Sequence, residues 1–378
     1  MSAVEELPIA SLSLWDDMRR KRLPVSFELE LTARCNNDCG HCYINLPAGD
    51  RRAQEAELGL AEVERIAGEA RDLGALWCLI TGGEPLLRDD FDDVYLLLRR
   101  MGFVVSVFTN ACLLKQRHIR LFKDVPPRNV EVTVYGVTRE TYEAVSRRPG
   151  SYDAFRRGLA LLEEAHIPVR LKAVALRSNV HELDAIAAFC RSRTKDYFRF
   201  DPQLHLRYDG DERRNALIRA ERLSPAEIAR LEEGDEERCA ALREHQDGLF
   251  VPEAATVRSR RLFRCRPGKD SFTIGPEGVF RPCASLHHPA CVADLRRGTL
   301  KEAWHSLVPR VWEMTTDKEG YVEGCGACPV FNLCLWCPAH SYLETGALDG
   351  DVSYFCSVAH ARAALLTAMS PDGASNQP

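Results

Sequence analysis

Two hydrophobic periods alternate between residues 26 and 204. Ser26–Thr32 alternates apolar with polar positions, the two-residue period of a strand. Leu60–Leu73 spaces its apolar residues three and four apart, as an amphipathic helix does, and leads to the buried strand Leu76–Ile80. The pair then recurs. Helix Phe91–Met101 precedes strand Phe103–Phe108, and a short helix near Arg117–Lys123 precedes strand Val130–Val134. Helical stretches across Thr138–Ala165 lead to strand Val169–Leu176, and a helix across Val180–Ser192 leads to a last strand near Tyr197–Leu204. Six such units require a parallel sheet with crossover helices. The expected fold is therefore α/β, a partial (β/α)6 barrel of the TIM type, with its active face at the C-terminal strand ends.

Beyond the barrel the texture changes twice. Residues 209–262 are rich in Arg and Glu with helical patterning, as in Pro225–Gly234 and Glu236–Arg243, and read as a bridge whose charges are a solvated face. From residue 263 the chain breaks into short pieces punctuated by cysteine and proline. Phe272–Ile274 and Val279–Arg281 flank Gly275-Pro276-Glu277-Gly278, a hairpin signal. This part lacks apolar mass for its own core, so metal is expected to organise it. The predicted division is an extension at 1–25, the barrel at 26–208, the bridge at 209–262, a cysteine-rich domain at 263–357, and a helix with a disordered tail at 358–378.

Composition narrows the class. The 378 residues are 45% hydrophobic, enough for a sizeable core, and the net charge of −5 gives no bulk positive field for nucleic acid. No apolar run approaches the ~20 residues of a membrane span. Acidic Glu5 and Glu6 come early and the basic cluster Arg19–Arg22 follows the weakly apolar stretch, which is not a signal peptide. The expectation is a cytoplasmic protein with no membrane contact. There, fifteen cysteines point away from disulfides and toward metal, redox chemistry or buried thiols. Cys78, Cys112, Cys190 and Cys239 are scattered and read as small buried hydrophobes.

The other cysteines fall into constellations. Cys35-Asn36-Asn37-Asp38-Cys39-Gly40-His41-Cys42 follows the first strand directly. Three thiolates this close suit three corners of an iron–sulfur cube, with zinc the alternative; His41, adjacent to Cys42, is poorly placed to complete a zinc tetrad. After the second strand comes Thr81-Gly82-Gly83-Glu84-Pro85, whose glycines let backbone approach a ligand and whose Glu84 can accept from an ammonium. The third set is Cys265 and Cys283, then Cys325-x2-Cys328-x5-Cys334-x2-Cys337, and Cys356. Its Cys-x2-Cys pairs are also consistent with a zinc ribbon.

Together the first two motifs resemble the radical SAM superfamily over about residues 26–204, with His41 in the aromatic position before the last cysteine. The resemblance implies that Cys35, Cys39 and Cys42 hold a [4Fe–4S] cluster whose open iron binds S-adenosylmethionine (SAM). It further implies that Gly82, Gly83, Glu84 and Pro85 contact the methionyl amine, and Thr109 and Asn110 the ribose. Thr133 and Lys172 become candidate partners of the ribose or SAM carboxylate; Lys172 reads equally well as a charge capping a strand end. Residues 263–357 resemble the SPASM extension, which holds one or two auxiliary iron–sulfur clusters. By that resemblance Cys325, Cys328, Cys334 and Cys356 hold one cluster, and Cys265, Cys283 and Cys337 the other. The family usually has three residues between the last two cysteines of the run, where this chain has Leu335-Trp336. The inner set lacks an obvious fourth ligand, for which Cys291 is a candidate.

The implied activity is reductive cleavage of SAM to a 5′-deoxyadenosyl radical and oxidative modification of a substrate. SPASM-type enzymes commonly modify ribosomally made peptides, by crosslink, thioether or related maturation. Ala284 after the second cysteine of the extension departs from the sulfatase-maturing branch. Only 34 residues precede Cys35, so a separate small leader-binding protein or the barrel rim is expected to recognise a leader. Flavodoxin or ferredoxin is the expected electron donor. The alternative is a tetrapyrrole or other small-molecule modifier, with His287 and His288 as iron-porphyrin contacts or as inert loop residues. A non-enzymatic iron–sulfur or zinc scaffold leaves Gly82–Pro85 unexplained.

Overall fold

The computed structural model describes residues 14–194, 200–244, 258–334 and 336–368. Six parallel strands form its centre: β1 (Ser26–Glu30), β2 (Trp77–Thr81), β3 (Val104–Thr109), β4 (Val130–Thr133), β5 (Val169–Val174) and β6 (Phe200–Asp201). They pair in chain order. Helices Leu60–Asp72, Phe91–Arg100, Gln116–Asp124, Ser151–Glu164 and Leu183–Arg191 make the crossovers. This is the α/β partial barrel. The helical stretch expected over 138–165 is two helices, Arg139–Ser146 and Ser151–Glu164. Arg147 at φ 53°, Pro149 and Gly150 at φ 80° stop the first helix and turn the chain into the second.

The two faces of the sheet differ in chemistry. Phe27, Leu29, Cys78, Ile80, Val105, Val107, Val130, Val132, Leu171 and Ala173 are buried in one apolar core. The alternate positions Glu28, Thr81, Glu131, Thr133 and Lys172 fall on the opposite, inner face. The barrel is thus apolar toward its helices and polar inside, which leaves a chamber rather than a filled interior.

The cysteine-rich region departs from the expectation of a unit organised by metal. Its hairpin, β7 (Ser271–Ile274) and β8 (Val279–Arg281), continues the barrel sheet, with β9 (Ala293–Asp294) beyond. β7 lies parallel to β1, Ser26 opposite Ser271, and the Phe27 and Phe272 rings stack at 5.5 Å. Phe272, Phe280, Leu295, Trp304 and Val311 belong to the same core as the barrel. Shared apolar burial ties residues 271–312 to the barrel.

The bridge also differs from a solvated face. Helix Pro225–Gly234 packs on helix Ser353–Ala368, and Glu232, fully buried, accepts from Arg362 Nε at 2.8 Å and Nη2 at 2.6 Å. A buried carboxylate needs such a partner. That last helix starts before the expected boundary at 358 and carries Cys356 in its first turn; the tail expected at 370–378 lies outside the described residues.

Candidate cluster and cofactor site

The loop carrying Cys35, Cys39 and Cys42 is closed at its neck by a parallel pair of two-residue strands, Arg34–Cys35 with Leu46–Pro47. Arg34 Nε donates to Glu57 at 2.7 Å, with both side chains buried. Asn45 and Arg207 hold the far side. Arg207 Nη1 donates to the carbonyl and side chain of Asn45, both at 3.1 Å, and to the Cys42 carbonyl at 3.4 Å. Asn110 Nδ2 donates to Asn36 at 2.9 Å from the end of β3. No local sequence signal marked Arg34, Asn45 or Arg207 for this work.

The three thiols face one chamber of about 340 Å³ that also borders Gly82, Gly83, Thr109, Asn110, Thr133 and Lys172. Burial, largest first, then each other's charge raise Cys39 well above an ordinary thiol, and burial raises Cys35 and Cys42. Arg207 and Arg214 pull Cys42 partly back. Three thiols bordering one chamber are a donor set for a thiophilic cluster, while among the described residues no three ligands are placed to hold a single metal ion. They fit an iron–sulfur cluster. His41 packs edge-on to Tyr135, with burial lowering its pKa to about 4.

The glycine pair has a packing reason. Gly82 is at φ 129°, and a Cβ there would lie 2.4 Å from the Thr32 carbonyl; at Gly83 it would lie 2.3 Å from that of Arg34. Gly83 N donates to Thr32 O at 2.6 Å and Glu84 N to Arg34 O at 2.9 Å, so this turn braces the root of the cysteine loop.

Glu84 departs from its expected place at the SAM amine. It is fully buried and absent from the chamber wall. Its carboxylate accepts from Leu86 N at 3.1 Å, Thr109 Oγ1 at 2.8 Å and Asn110 N at 2.8 Å. Burial lifts its pKa to about 7 despite these donors. Glu84 ties the end of β2 to the end of β3. Pro85 starts a 3-10 turn behind it. Lys172 faces the chamber with Nζ 3.2 Å from the centre of the Phe108 ring and 3.7 Å from Glu131. Burial lowers it to about 8 against the pull of Glu131 and Glu28.

Sequence reading missed the rest of the chamber. Asp201, Gln203 and His205 also line it. The His205 ring sits 4.1 Å from that of His340, and its Nδ1 is buried with no hydrogen-bond partner among the described residues. Glu30 on β1 pairs with Arg281 on β8 at 2.5 Å, both buried. The signal was present in Phe27-Glu28-Leu29-Glu30: charges alternating with core residues on a central strand mark a polar interior. Cys112 packs against the core, and burial raises its thiol to about 11. It is half-buried, and Tyr142, Asn37 and Glu84 lie close enough to influence its thiol.

The C-terminal thiols form two groups. Cys325, Cys328, Cys334 and Cys356 border one cavity of about 580 Å³, with Trp336 and Asp351. Burial and then the charges of Asp351 and the other three raise Cys325 to about 11. Cys337 is turned away from them. Burial first raises it to about 12, and Cys283 and Cys265 add to that; Cys283 in turn is influenced by Glu28 and Arg281 of the barrel interior. This second group therefore adjoins the chamber. Cys291 does not join it: fully buried, its Sγ packs 3.7 Å from Met314 Sδ, and burial alone raises it to about 11. His287 stacks on Tyr208 at 4.4 Å, and His288 accepts from Ala290 N at 3.2 Å.

A profile of the radical SAM superfamily matches residues 29–190, and one of the SPASM iron-sulfur cluster-binding domain matches residues 265–329. The chain is a radical SAM enzyme with a SPASM domain. Its cofactors are SAM and [4Fe–4S] clusters. Among curated proteins, this radical SAM enzyme is 23% identical to the AdoMet-dependent heme synthase of Methanosarcina barkeri, over 84% of this chain and 92% of that one. It is 24% identical to AlbA, an antilisterial bacteriocin subtilosin biosynthesis protein of Bacillus subtilis, over 83% of this chain and 67% of that one. In fold it is similar to SuiB of Streptococcus suis, solved with its precursor peptide SuiA, at a TM-score of 0.65 and 16% identity over 93% of this chain and 82% of that one. Among the described residues no helix is long and apolar enough to cross a membrane.

Proposed function

We propose that Cys35, Cys39 and Cys42 hold the SAM-binding cluster and that the enzyme oxidatively modifies a ribosomally synthesised peptide. The reduced, SAM-loaded cluster supplies a 5′-deoxyadenosyl radical able to take hydrogen from unactivated carbon. The chain's own residues orient and shield. Gly82, Gly83 and Asn110 shape the chamber wall, Glu84 fixes that wall from behind, and Thr133 and Lys172 present a hydroxyl and an ammonium to cofactor or substrate. Cys325, Cys328, Cys334 and Cys356 hold the outer auxiliary cluster, and Cys265, Cys283 and Cys337 the inner one.

The chamber's size and lining carry the peptide reading. About 340 Å³ is near the lower end of small-molecule sites, which run about 300–1,000 Å³. The proposed cluster and SAM would share that space, so a substrate would present only a small part of itself to it. Charges of both signs and the unpartnered His205 Nδ1 favour a substrate rich in amide groups. AlbA acts in bacteriocin biosynthesis and SuiB binds a precursor peptide, in line with this reading. Tetrapyrrole modification is the second reading, because the alignment with the heme synthase spans 92% of that protein. Against it, His287 and His288 are engaged in packing and capping rather than open to a porphyrin.

The test is anaerobic incubation of reconstituted enzyme, SAM and dithionite with each short peptide encoded beside the gene, with and without small neighbouring proteins, followed by mass analysis. The expected product has lost two hydrogens per modification. Conversion of an iron-porphyrin carboxylate with every peptide unchanged selects the second reading.

A further inference from the structure

We infer that Asn110 is a positioning residue that raises the reduction potential of the centre held by the three-cysteine loop, by donating to the sulfur of Cys35. This rests on the assignment of Cys35, Cys39 and Cys42 to the SAM-binding cluster. Asn110 stands just past the end of β3, 8% exposed and bordering the chamber. Its Nδ2 lies 3.7 Å from Cys35 Sγ and 2.9 Å from Asn36 Oδ1. Those two acceptors take both hydrogens of the amide. None is left to donate to a ribose oxygen, the contact that the family resemblance implied for this residue.

The direction of the amide is fixed by its surroundings. Oδ1 accepts from Cys112 N at 2.9 Å, and a backbone N–H can only donate. The nitrogen must therefore face Cys35, so the usual ambiguity between the two ends of an amide is resolved. The backbone is held as well, with Asn110 N donating to Glu84 Oε2 at 2.8 Å. Both parts of the residue are tied down.

The donors on the three sulfurs differ in origin. Asn37 N donates to Cys35 Sγ at 3.4 Å, and the N–H groups of Ile44 and Asn45 lie against Cys42, all from within the loop or its neck. Asn110 brings to Cys35 a side-chain donor from the barrel. Glu84 behind it works in the opposite direction, its charge disfavouring a thiolate at Cys35. Reduction adds one electron, with no bond made or broken, and places more negative charge on the sulfurs. An N–H aimed at a sulfur stabilises that charge more than it stabilises the oxidised form, so the potential rises. Burial strengthens the effect.

The test is a potentiometric titration of full-length reconstituted enzyme with dithionite and redox mediators at pH 8, without SAM, read by electron paramagnetic resonance. The signal of interest is the one missing from the triple variant Cys35→Ala, Cys39→Ala, Cys42→Ala. Asn110→Leu nearly keeps the volume and removes the donor. Its reduction equilibrium should fall about tenfold, a midpoint about 59 mV more negative for one electron. Asn110→Asp keeps an acceptor for Cys112 N but sets a carboxylate oxygen against Cys35, so its midpoint should lie lower still. Loss of packing alone would not produce that order. An unchanged midpoint in Asn110→Leu, or one in Asn110→Asp at or above the wild type, would overturn the inference and leave the cysteine assignment standing. A triple variant that loses no signal would strike the assignment, and this inference with it.

Discussion

Around Cys35, Cys39 and Cys42 the backbone is tied to the barrel by buried side chains of Arg34, Glu57, Asn45, Arg207 and Asn110. Around Cys325, Cys328 and Cys334 the chain runs instead in helical turns of three to five residues, Glu319–Glu323, Cys325–Ala327 and Phe331–Leu333. A small separate apolar cluster of Val330, Leu333, Ala359, Ala363 and Leu366 backs them. The first site is preformed by protein contacts. The second has a fourth thiol, Cys356, delivered by a helix anchored through Glu232 and Arg362, and on the proposed assignment would depend much more on what it binds. On the proposed assignment, one chain would use a rigid scaffold where a radical must be aimed and a bound centre where a turn-rich segment must be gathered.

The largest effect should come from replacing Cys35, Cys39 and Cys42 together with Ala. Release of 5′-deoxyadenosine under dithionite should fall to background while most iron stays bound at the C-terminal sites. Persistent release would dissolve the distinction between the two regions.

Next comes the anchor of the outer site. Arg362→Leu leaves Glu232 buried with only Arg238 as ion partner among the described residues, and breaking a buried pair costs about 3–5 kcal/mol. Denaturant unfolding should show that loss, and hydrogen exchange should place it in residues 319–368 while the barrel strands keep their protection. Loss of protection spread evenly over both regions would show that they unfold as one.

Glu84→Ala should cost about 2–4 kcal/mol, because it strands two backbone N–H donors and a hydroxyl in a buried site. Its weakening of SAM binding would be indirect, through a loosened wall. The pH dependence gives a sharper check. With the folded carboxyl raised to about 7, its contribution to stability is fully present below the ordinary glutamate range and is lost as pH rises through about 7. Glu84→Gln should remove that part of the stability–pH slope; an unchanged slope would place the carboxylate elsewhere.

The smallest expected effect belongs to Lys172. Lowered to about 8, its ammonium loses charge as pH passes that value, so the Kd for SAM should rise a few-fold between pH 7 and 9 in the wild type. Lys172→Met should show the weaker affinity at both pH values. A flat profile in the wild type would leave Lys172 as a strand-end charge.

The six strand–helix units and the cysteine spacings were legible because both are local: a period of two or 3.6, and ligands a few residues apart. The direction of a side chain is not local. Glu84 follows two glycines at a strand end, which suggests a ligand contact, yet two of the three donors that claim it sit 25 and 26 residues onward, at the end of β3. The hairpin was legible as a hairpin. Its partner was not, because parallel pairing with β1 leaves no trace in either segment. The charged bridge misled for a related reason: composition cannot tell that Glu232 finds Arg362, 130 residues away, and goes inside.

β1 stands between β2 and β7, and its contact with β7 joins residues 245 apart. During synthesis at about 5–20 residues per second, one edge of β1 waits roughly 12–50 seconds for its neighbour to emerge. The strand at the root of the cysteine loop is therefore an open edge through most of translation, a state that invites wrong pairing. Ribosome-bound chains stopped before residue 271 should remain open to protease near Arg34, and longer ones should not. The order of synthesis thereby makes closure of the sheet at β1 a late event.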